Sequence, residues 1–353
     1  MNYRAVLSAC LAVSLLGATA CNSKTAPTKL FTIPAAGSSF VLPVMQRWSE
    51  DFFELHRPTQ VNYDSVGSMQ AVQELAAGKI AFAATDFALT PKQLSELPPV
   101  IQIPEIAGAI CITYNLPGVK EPLRLSPQVL AGIYLGTIKK WNDPALKKDN
   151  PGVTLPDESI TVVHRADPAG ATSIFTTYLS AVSKKWQSAV GAGDSVKWPT
   201  GIGGIGSRGL TSVVRNSPGA LGFVELNYAQ QNELPTAAIE NQAGRYLQPN
   251  IASTKAAVEA FVPKLKSNLG TLIVDPPASA ADAYPIAGLN FLIVSRNGSH
   301  VAERTALREF IHFVLHNGQD TAFHISYAPL PESLKVFDEN QLKSMEINGK
   351  PVR

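Results

Sequence analysis

Val162-Val163-His164-Arg165-Ala166-Asp167-Pro168-Ala169-Gly170-Ala171-Thr172-Ser173-Ile174-Phe175 leads from an apolar run through Arg-x-Asp and small residues into a helical pattern. A strand that turns straight into a helix is the building step of an α/β fold. The same turn suits an anion, because the first N–H groups of a helix lack internal partners and sit at the positive end of its macrodipole. Arg165 adds a planar, permanently charged fork that matches a phosphate or carboxylate edge. Asp167, two residues on, is placed to brace that guanidinium from behind. Taken alone, the segment fits an ordinary surface ion pair as well, so its reading rests on the rest of the chain.

Short β-type runs alternate with helical patterns, with strands expected over 60–63, 81–85, 100–103, 108–114, 160–164, 220–224 and 289–295. That alternation predicts α/β architecture with mainly parallel sheets. Thr90-Pro91-Lys92-Gln93 reads as a capping box with Pro at the first helical position, and Ser126-Pro127-Gln128 repeats the cap and Pro. Three strand-to-helix turns share a chemistry. Gly37-Ser38-Ser39-Phe40 precedes a helix over 43–56, Val66-Gly67-Ser68 one over 69–77, and the turn at 165–170 one over 171–179. Small residues and hydroxyls at helix N-termini let backbone approach an oxyanion closely. Asp86 ends the apolar run Ala81-Phe82-Ala83-Ala84-Thr85. That edge of an open α/β sheet binds ligands, with capping of the next turn as the competing role.

The leader points outward from the cell. Residues 5–20 carry no charge and form the short apolar core of a secretory signal, too short for a membrane span. Leu15-Leu16-Gly17-Ala18-Thr19-Ala20-Cys21 ends like a lipoprotein cleavage site, making Cys21 the lipidated N-terminus, although Ala-x-Ala also suits an ordinary signal peptidase. A net charge of +2 over 353 residues implies neither nucleic acid nor an anionic membrane surface as partner. The length predicts two domains. With Cys10 removed and Cys21 lipidated, Cys111 remains alone, so no disulfide framework is expected.

Over about 35–331 the chain resembles the periplasmic phosphate-binding proteins of bacterial ABC phosphate uptake. Ala35-Ala36-Gly37-Ser38-Ser39-Phe40, Val66-Gly67-Ser68, Ala84-Thr85-Asp86, Gly132-Ile133-Tyr134-Leu135-Gly136-Thr137-Ile138, Val196-Lys197-Trp198-Pro199, Pro218-Gly219-Ala220-Leu221-Gly222-Phe223-Val224-Glu225 and Tyr327-Ala328-Pro329-Leu330-Pro331 carry the resemblance. It implies a two-lobed periplasmic-binding-protein fold of type II, hinged on two crossover strands near 109–115 and 284–289. Lobe 1 would comprise 29–108 plus 285–353, and lobe 2 would comprise 109–284. Family phosphate contacts fall on Ser39, Phe40, Ser68, Asp86, Arg165, Ala169, Gly170 and Ala171, with Asp167 steadying Arg165. The implied protein is a monomeric, lipid-anchored periplasmic receptor that delivers inorganic phosphate to the membrane subunits of an ABC permease, without catalysis, cofactor or metal.

An acid belongs in such a site because phosphate at neutral pH keeps a proton to donate to Asp86, whereas sulfate does not and would face it as a like charge. One departure stands out. The family usually carries Ser and Thr where this chain has Ala169 and Ala171. Hydrogen bonds to charged groups contribute roughly 1.5–3 kcal/mol each, so weaker phosphate binding is expected unless Thr172 and Ser173 substitute. A receptor for another protonated tetrahedral oxyanion, or a low-affinity phosphate sensor or scavenger, is the alternative.

Other signals are weaker. Gly201-Ile202-Gly203-Gly204-Ile205-Gly206, with Glu225 downstream, matches a dinucleotide fingerprint, but Trp198-Pro199-Thr200 precedes it instead of a buried strand, so a flexible loop before a helix over 210–215 is expected. His312 and His316 share a helix face with Arg308 and Glu309, opposite Phe310, Ile311, Phe313 and Val314, which reads as a solvated face. A secreted phosphatase would need an activated nucleophile, and Ser39 and Ser68 have no evident histidine base.

Overall fold

Eight strands in one mixed sheet organise the chain in a computed structural model that describes residues 30–352. The signal segment 1–20 and Cys21 lie outside the described residues. The strands are β1 (Phe31–Gly37), β2 (Thr59–Ser65), β3 (Phe82–Thr85), β4 (Val100–Asn115), β5 (Thr161–Arg165), β6 (Ile202–Gly204), β7 (Ala220–Glu225) and β8 (Ala287–Ser295). Their order is β2-β1-β3-β8-β4-β7-β5-β6. Helices α1 (Leu42–Leu55), α2 (Ser68–Ala76), α3 (Gly170–Val182) and α4 (Gly206–Asn216) follow β1, β2, β5 and β6, and α5 (Val301–Leu315), α6 (Asn317–His324) and α7 (Glu332–Leu342) close the chain. In α1, Val44, Met45, Trp48 and Phe52 recur at helical spacing and are all buried, which is the amphipathic face that holds the helix on the sheet.

The sheet corrects the expectation of mainly parallel pairing. Pairing is parallel in the two outer parts, β2-β1-β3 and β7-β5-β6, but β8 runs antiparallel to β3 and β4, and β4 antiparallel to β7. The centre is antiparallel because the chain crosses between the outer parts once through β4 and once more to reach β8. β4 is one strand of 16 residues where two runs were expected. Pro104 and Glu105 break the sequence pattern, and there the β4/β8 register shifts: Asn290 faces Ile106 while Phe291 faces Pro104. A bulge absorbs a proline that has no ladder N–H to give.

Two further differences have local causes. β1 is absent from the expected strands because Pro34-Ala35-Ala36 carries no β-branched signal. Pro34 pairs with β2 alone, since β3 pairs only with Ala35 to Gly37, so its missing N–H breaks no second ladder. The segment 201–206 is not a loop: Ile202–Gly204 pairs with β5 and α4 begins at Gly206. A three-residue edge strand of mostly glycine leaves almost no periodicity to read.

The core has an aromatic centre in each outer part. Phe52 and Phe82 meet Phe310 at 5.2 and 5.6 Å between ring centroids, while Phe175 lies 4.5 Å from Phe223 and 4.7 Å from Tyr134. Cys111, the free cysteine among the described residues, is buried in β4 as a small apolar residue with its thiol on the Val224 carbonyl. No helix among the described residues is long and apolar enough to cross a membrane.

Where the two parts join, Gly108 and Gly288 face each other across β4 and β8. A Cβ on Gly108 would stand 2.6 Å from Phe40 Cζ, and one on Gly288 would stand 2.3 Å from Ile174 Cδ1. Both rows are filled, so a methyl at either place must displace a buried side chain. Gly108→Ala is expected to lower the stability measured by urea unfolding by about 1–3 kcal/mol with little change in the denaturant slope.

Candidate functional site

Four helix N-termini, those of α1, α2, α3 and α4, surround one cavity of about 410 Å³ at the C-terminal ends of their preceding strands. Ser38, Ser39, Gly67, Ser68, Arg165 and Gly170 line it. Gly67, at φ 93°, makes the turn into α2 that a residue with a Cβ would strain. The first amides of α2 and α3 have no partner within the chain among the described residues, as expected of N-terminal turns aimed at a ligand.

Asp86 follows β3 and is 3% exposed. Ser38 Oγ donates to its Oδ2 at 2.6 Å and Asn290 Nδ2 to its Oδ1 at 2.7 Å, while the Asp86 N–H donates to Ser68 Oγ at 3.4 Å. Asn290 stands next to the Phe291–Thr85 pair of β8 with β3, so that antiparallel register sets its amide opposite the carboxylate. Above Asp86 lies Gly170, the first residue of α3; a Cβ there would be 2.0 Å from Asp86 Cβ. Only glycine lets the helix N-terminus approach the acid this closely. Burial pushes the Asp86 carboxyl up to about 7, against the Ser38 and Asn290 hydrogen bonds that favour its ionised form. Glu225 raises it further, and Arg165 lowers it.

Arg165 ends β5 and is 7% exposed. Its Nε and Nη2 donate to Asp167 Oδ1 and Oδ2 at 2.9 and 2.6 Å, and its Nη1 to Ser207 Oγ at 3.4 Å. Burial alone would make both groups less willing to ionise, but the bidentate pair and the Gly206 N–H on Asp167 outweigh it. Glu225, 1% exposed, accepts from Ser207 Oγ at 3.0 Å, and burial holds its carboxyl above the usual range. Two contacts tie the first turn to the far side: Ser39 Oγ is 3.1 Å from Ser207 Oγ, and Tyr228 Oη donates to the Ser39 carbonyl at 2.8 Å.

The structure brings Ser39, Ser68, Arg165, Asp167, Ala169 and Gly170 to the cavity, with Asp86 beneath it. Other expected contacts lie back from it. Phe40 is fully buried over Gly108, and its N–H is held by Ser38 Oγ at 3.0 Å. The Ala169 N–H is likewise taken, by the Asp194 carbonyl at 2.9 Å. Ala171 is buried and does not line the cavity. Thr172 and Ser173 do not supply the missing hydroxyls either: Thr172 Oγ1 is buried without a partner, and neither residue lines the cavity. The helix turns about 100° per residue, so a hydroxyl one step along faces elsewhere. Ser38, Ser207 and Asn290 were missed. Ser38 was legible beside Ser39, but Ser207 and Asn290 reach the site only through strand pairing.

The model of the PBP superfamily domain matches residues 22–317. The phosphate-binding protein PstS of Xylella fastidiosa is 37% identical over 319 residues, spanning 89% of this chain and 86% of that protein. The phosphate-binding protein PstS of Pasteurella multocida is 37% identical over 308 residues, spanning 87% and 88%. Among solved structures, the high-affinity periplasmic phosphate-binding protein PfluDING bound with phosphate matches with a TM-score of 0.68 at 20% identity, covering 88% of this chain and 93% of that one. The α/β architecture is thus that of a two-lobed periplasmic binding protein.

Burying Asp86 sets a pH dependence of stability. A carboxyl raised from 3.8 to about 7 keeps its proton in the folded state over a range where the unfolded chain releases it, so stability falls as pH rises. In phosphate-free protein, unfolding free energy is expected to fall through this group between about pH 4 and pH 7, by roughly 1.4 kcal/mol for each step of one in pH. Asp86→Asn should flatten that part of the profile in denaturant titrations, and an unchanged slope would contradict the assignment.

Proposed function

The chain belongs to the phosphate-binding proteins of the PBP superfamily, and from that premise we propose that its cavity binds inorganic phosphate and that the loaded protein serves an ABC-type phosphate permease. The observation that carries this reading is Asp86, a carboxyl buried against Ser38, Ser68 and Gly170, residues that line the same cavity as Arg165. A site for a fully deprotonated anion has no use for such a group. A site for hydrogen phosphate does: the anion's proton goes to a carboxylate oxygen, while Arg165 and the first amides of α3 hold its other oxygens. Sulfate brings no proton and meets ionised Asp86 as a like charge, so its exclusion is expected above about pH 7, where that carboxyl has lost its own proton.

Binding without catalysis fits the same contacts. Ser38 Oγ faces Asp86, Ser39 Oγ faces Ser207, and Ser68 Oγ accepts from an amide, so none is paired with a histidine base. His164, the histidine beside Arg165, stacks on Trp198 at 4.9 Å. The boundaries of lobe 1 at 29–108 plus 285–353 and of lobe 2 at 109–284 are supported by β4, which pairs with β8 up to Ala109 and with β7 from Ile110. Export through residues 1–20, a lipid anchor on Cys21, a periplasmic location and a monomeric receptor complete the proposal.

Calorimetric titration of ligand-stripped protein with phosphate, arsenate and sulfate tests it. Phosphate and arsenate should bind and sulfate should not, and Arg165→Ala should weaken phosphate binding by about a hundredfold. Asp86→Ala should reduce the preference for phosphate over sulfate. Wild-type protein without phosphate heat, or both variants binding normally, would refute the site. Ala169→Ser, which restores a hydroxyl at the cavity wall, should strengthen phosphate binding by about tenfold in the same titration.

A further inference from the structure

His312 and His316 stand one turn apart at the C-terminal end of α5, and the structure adds a partner that their spacing alone did not show. Glu339, on α7, places Oε1 2.9 Å from His312 Nδ1 and 2.9 Å from His316 Nε2. All three ligand atoms lie within 4.8 Å of one another. The side chains are 60%, 41% and 25% exposed, so the cluster opens to solvent, and none of the three lines the phosphate cavity. We propose that His312, His316 and Glu339 form a surface site for a divalent transition-metal ion, held by two imidazole nitrogens and one carboxylate oxygen with the remaining positions filled by water.

Geometry and charge both favour such an ion. Ligand bonds of about 2.1 Å to imidazole and carboxylate require donor atoms roughly 3–3.5 Å apart, so two of the three separations are already near that spacing. Two imidazoles and one carboxylate suit zinc, nickel or copper rather than magnesium or calcium, which prefer all-oxygen shells. The carbonyl end of α5 adds the negative pole of its macrodipole. Both scaffolds are fixed from behind: Phe310, Ile311, Phe313 and Val314 bury the inner face of α5, and Leu334, Asp338 and Leu342 bury that of α7. Lys335, the nearest cation on α7, pairs with Glu332 at 2.6 Å and leaves Glu339 to the histidines. The bound ion would clamp the C-terminal helix to α5, consolidating the back of this part of the molecule.

Untagged protein stripped with chelator and titrated with zinc by calorimetry in phosphate-free buffer tests the site. One saturating equivalent is expected, weakened by about tenfold or more in His316→Ala and in Glu339→Gln. Phosphate affinity, measured separately on the zinc-free variants, should be unchanged, which shows that they fold. Glu339→Gln keeps a hydrogen-bond acceptor but loses the anionic ligand, so it separates coordination from a shared hydrogen bond. No saturable zinc binding in the wild type, or equal binding in either variant, overturns the proposal.

Discussion

Everything at the cleft is arranged around one buried carboxylate. Asp86 follows β3 and lies between the hydroxyl of Ser38, just after β1, and the amide of Asn290, set opposite it by the pairing of β8 with β3. It lies under Gly170, whose missing Cβ lets α3 descend onto it. Ionised carboxylates are expensive to bury, and two hydrogen bonds only partly offset the lost hydration. The strand end, the pairing of β8 with β3 and the glycine are therefore one device for keeping an acid dry inside an anion site.

The surrounding charges show why that device needs its neighbours. Arg165 is the buried cation facing Asp86, and Asp167 grips it from behind through two hydrogen bonds. Glu225 stands beyond Ser207, and Glu105 lies in the bulge with both carboxyl oxygens unpaired. Burial pushes Glu225 and Glu105 toward their protonated forms, and Asp86 adds to the effect on Glu105. Without a ligand, one guanidinium serves more acids than it can neutralise. Only an anion that brings its own proton suits such a neighbourhood, because its hydrogen meets the Asp86 oxygen that a bare anion would face as a like charge.

The sequence could be read where a local rule decides the structure. The α/β alternation, the Thr90 capping box, the helix N-termini after Ser38-Ser39 and Gly67-Ser68, and the Arg165–Asp167 brace all follow from residues within a few positions of one another. What could not be read depends on distance in the chain. Asn290 reaches Asp86 across 204 positions, through the pairing of β8 with β3. Ser207 follows a strand too short and glycine-rich to carry a period. Glu339 joins the two histidines through the packing of α7 on α5, which no spacing within α5 encodes. The strand β1 was hidden for the opposite reason: Ala35 and Ala36 suit close packing between two paired neighbours, and small residues carry little β signal.

The two alanines that separate this chain from its family change meaning once the first turn of α3 is seen. The Ala169 amide is taken by Asp194 and the Ala171 methyl is buried, so this turn offers amides from α3 but no hydroxyl. Hydroxyls reach the cavity instead from the opposite wall, on Ser38, Ser39 and Ser68, all in the part that carries Asp86. The two walls thus divide the work. Helix N-termini face the cavity from both, but one wall adds the guanidinium of Arg165, which suits any oxyanion, and the other adds the acid and hydroxyls that, in the proposed site, distinguish a protonated oxyanion from a bare one. Discrimination of the kind proposed would require both walls on the same anion. The contacts that join them run from Ser39 to Ser207 and from Tyr228 to the Ser39 carbonyl, and under the proposed reading they would serve selectivity as well as stability.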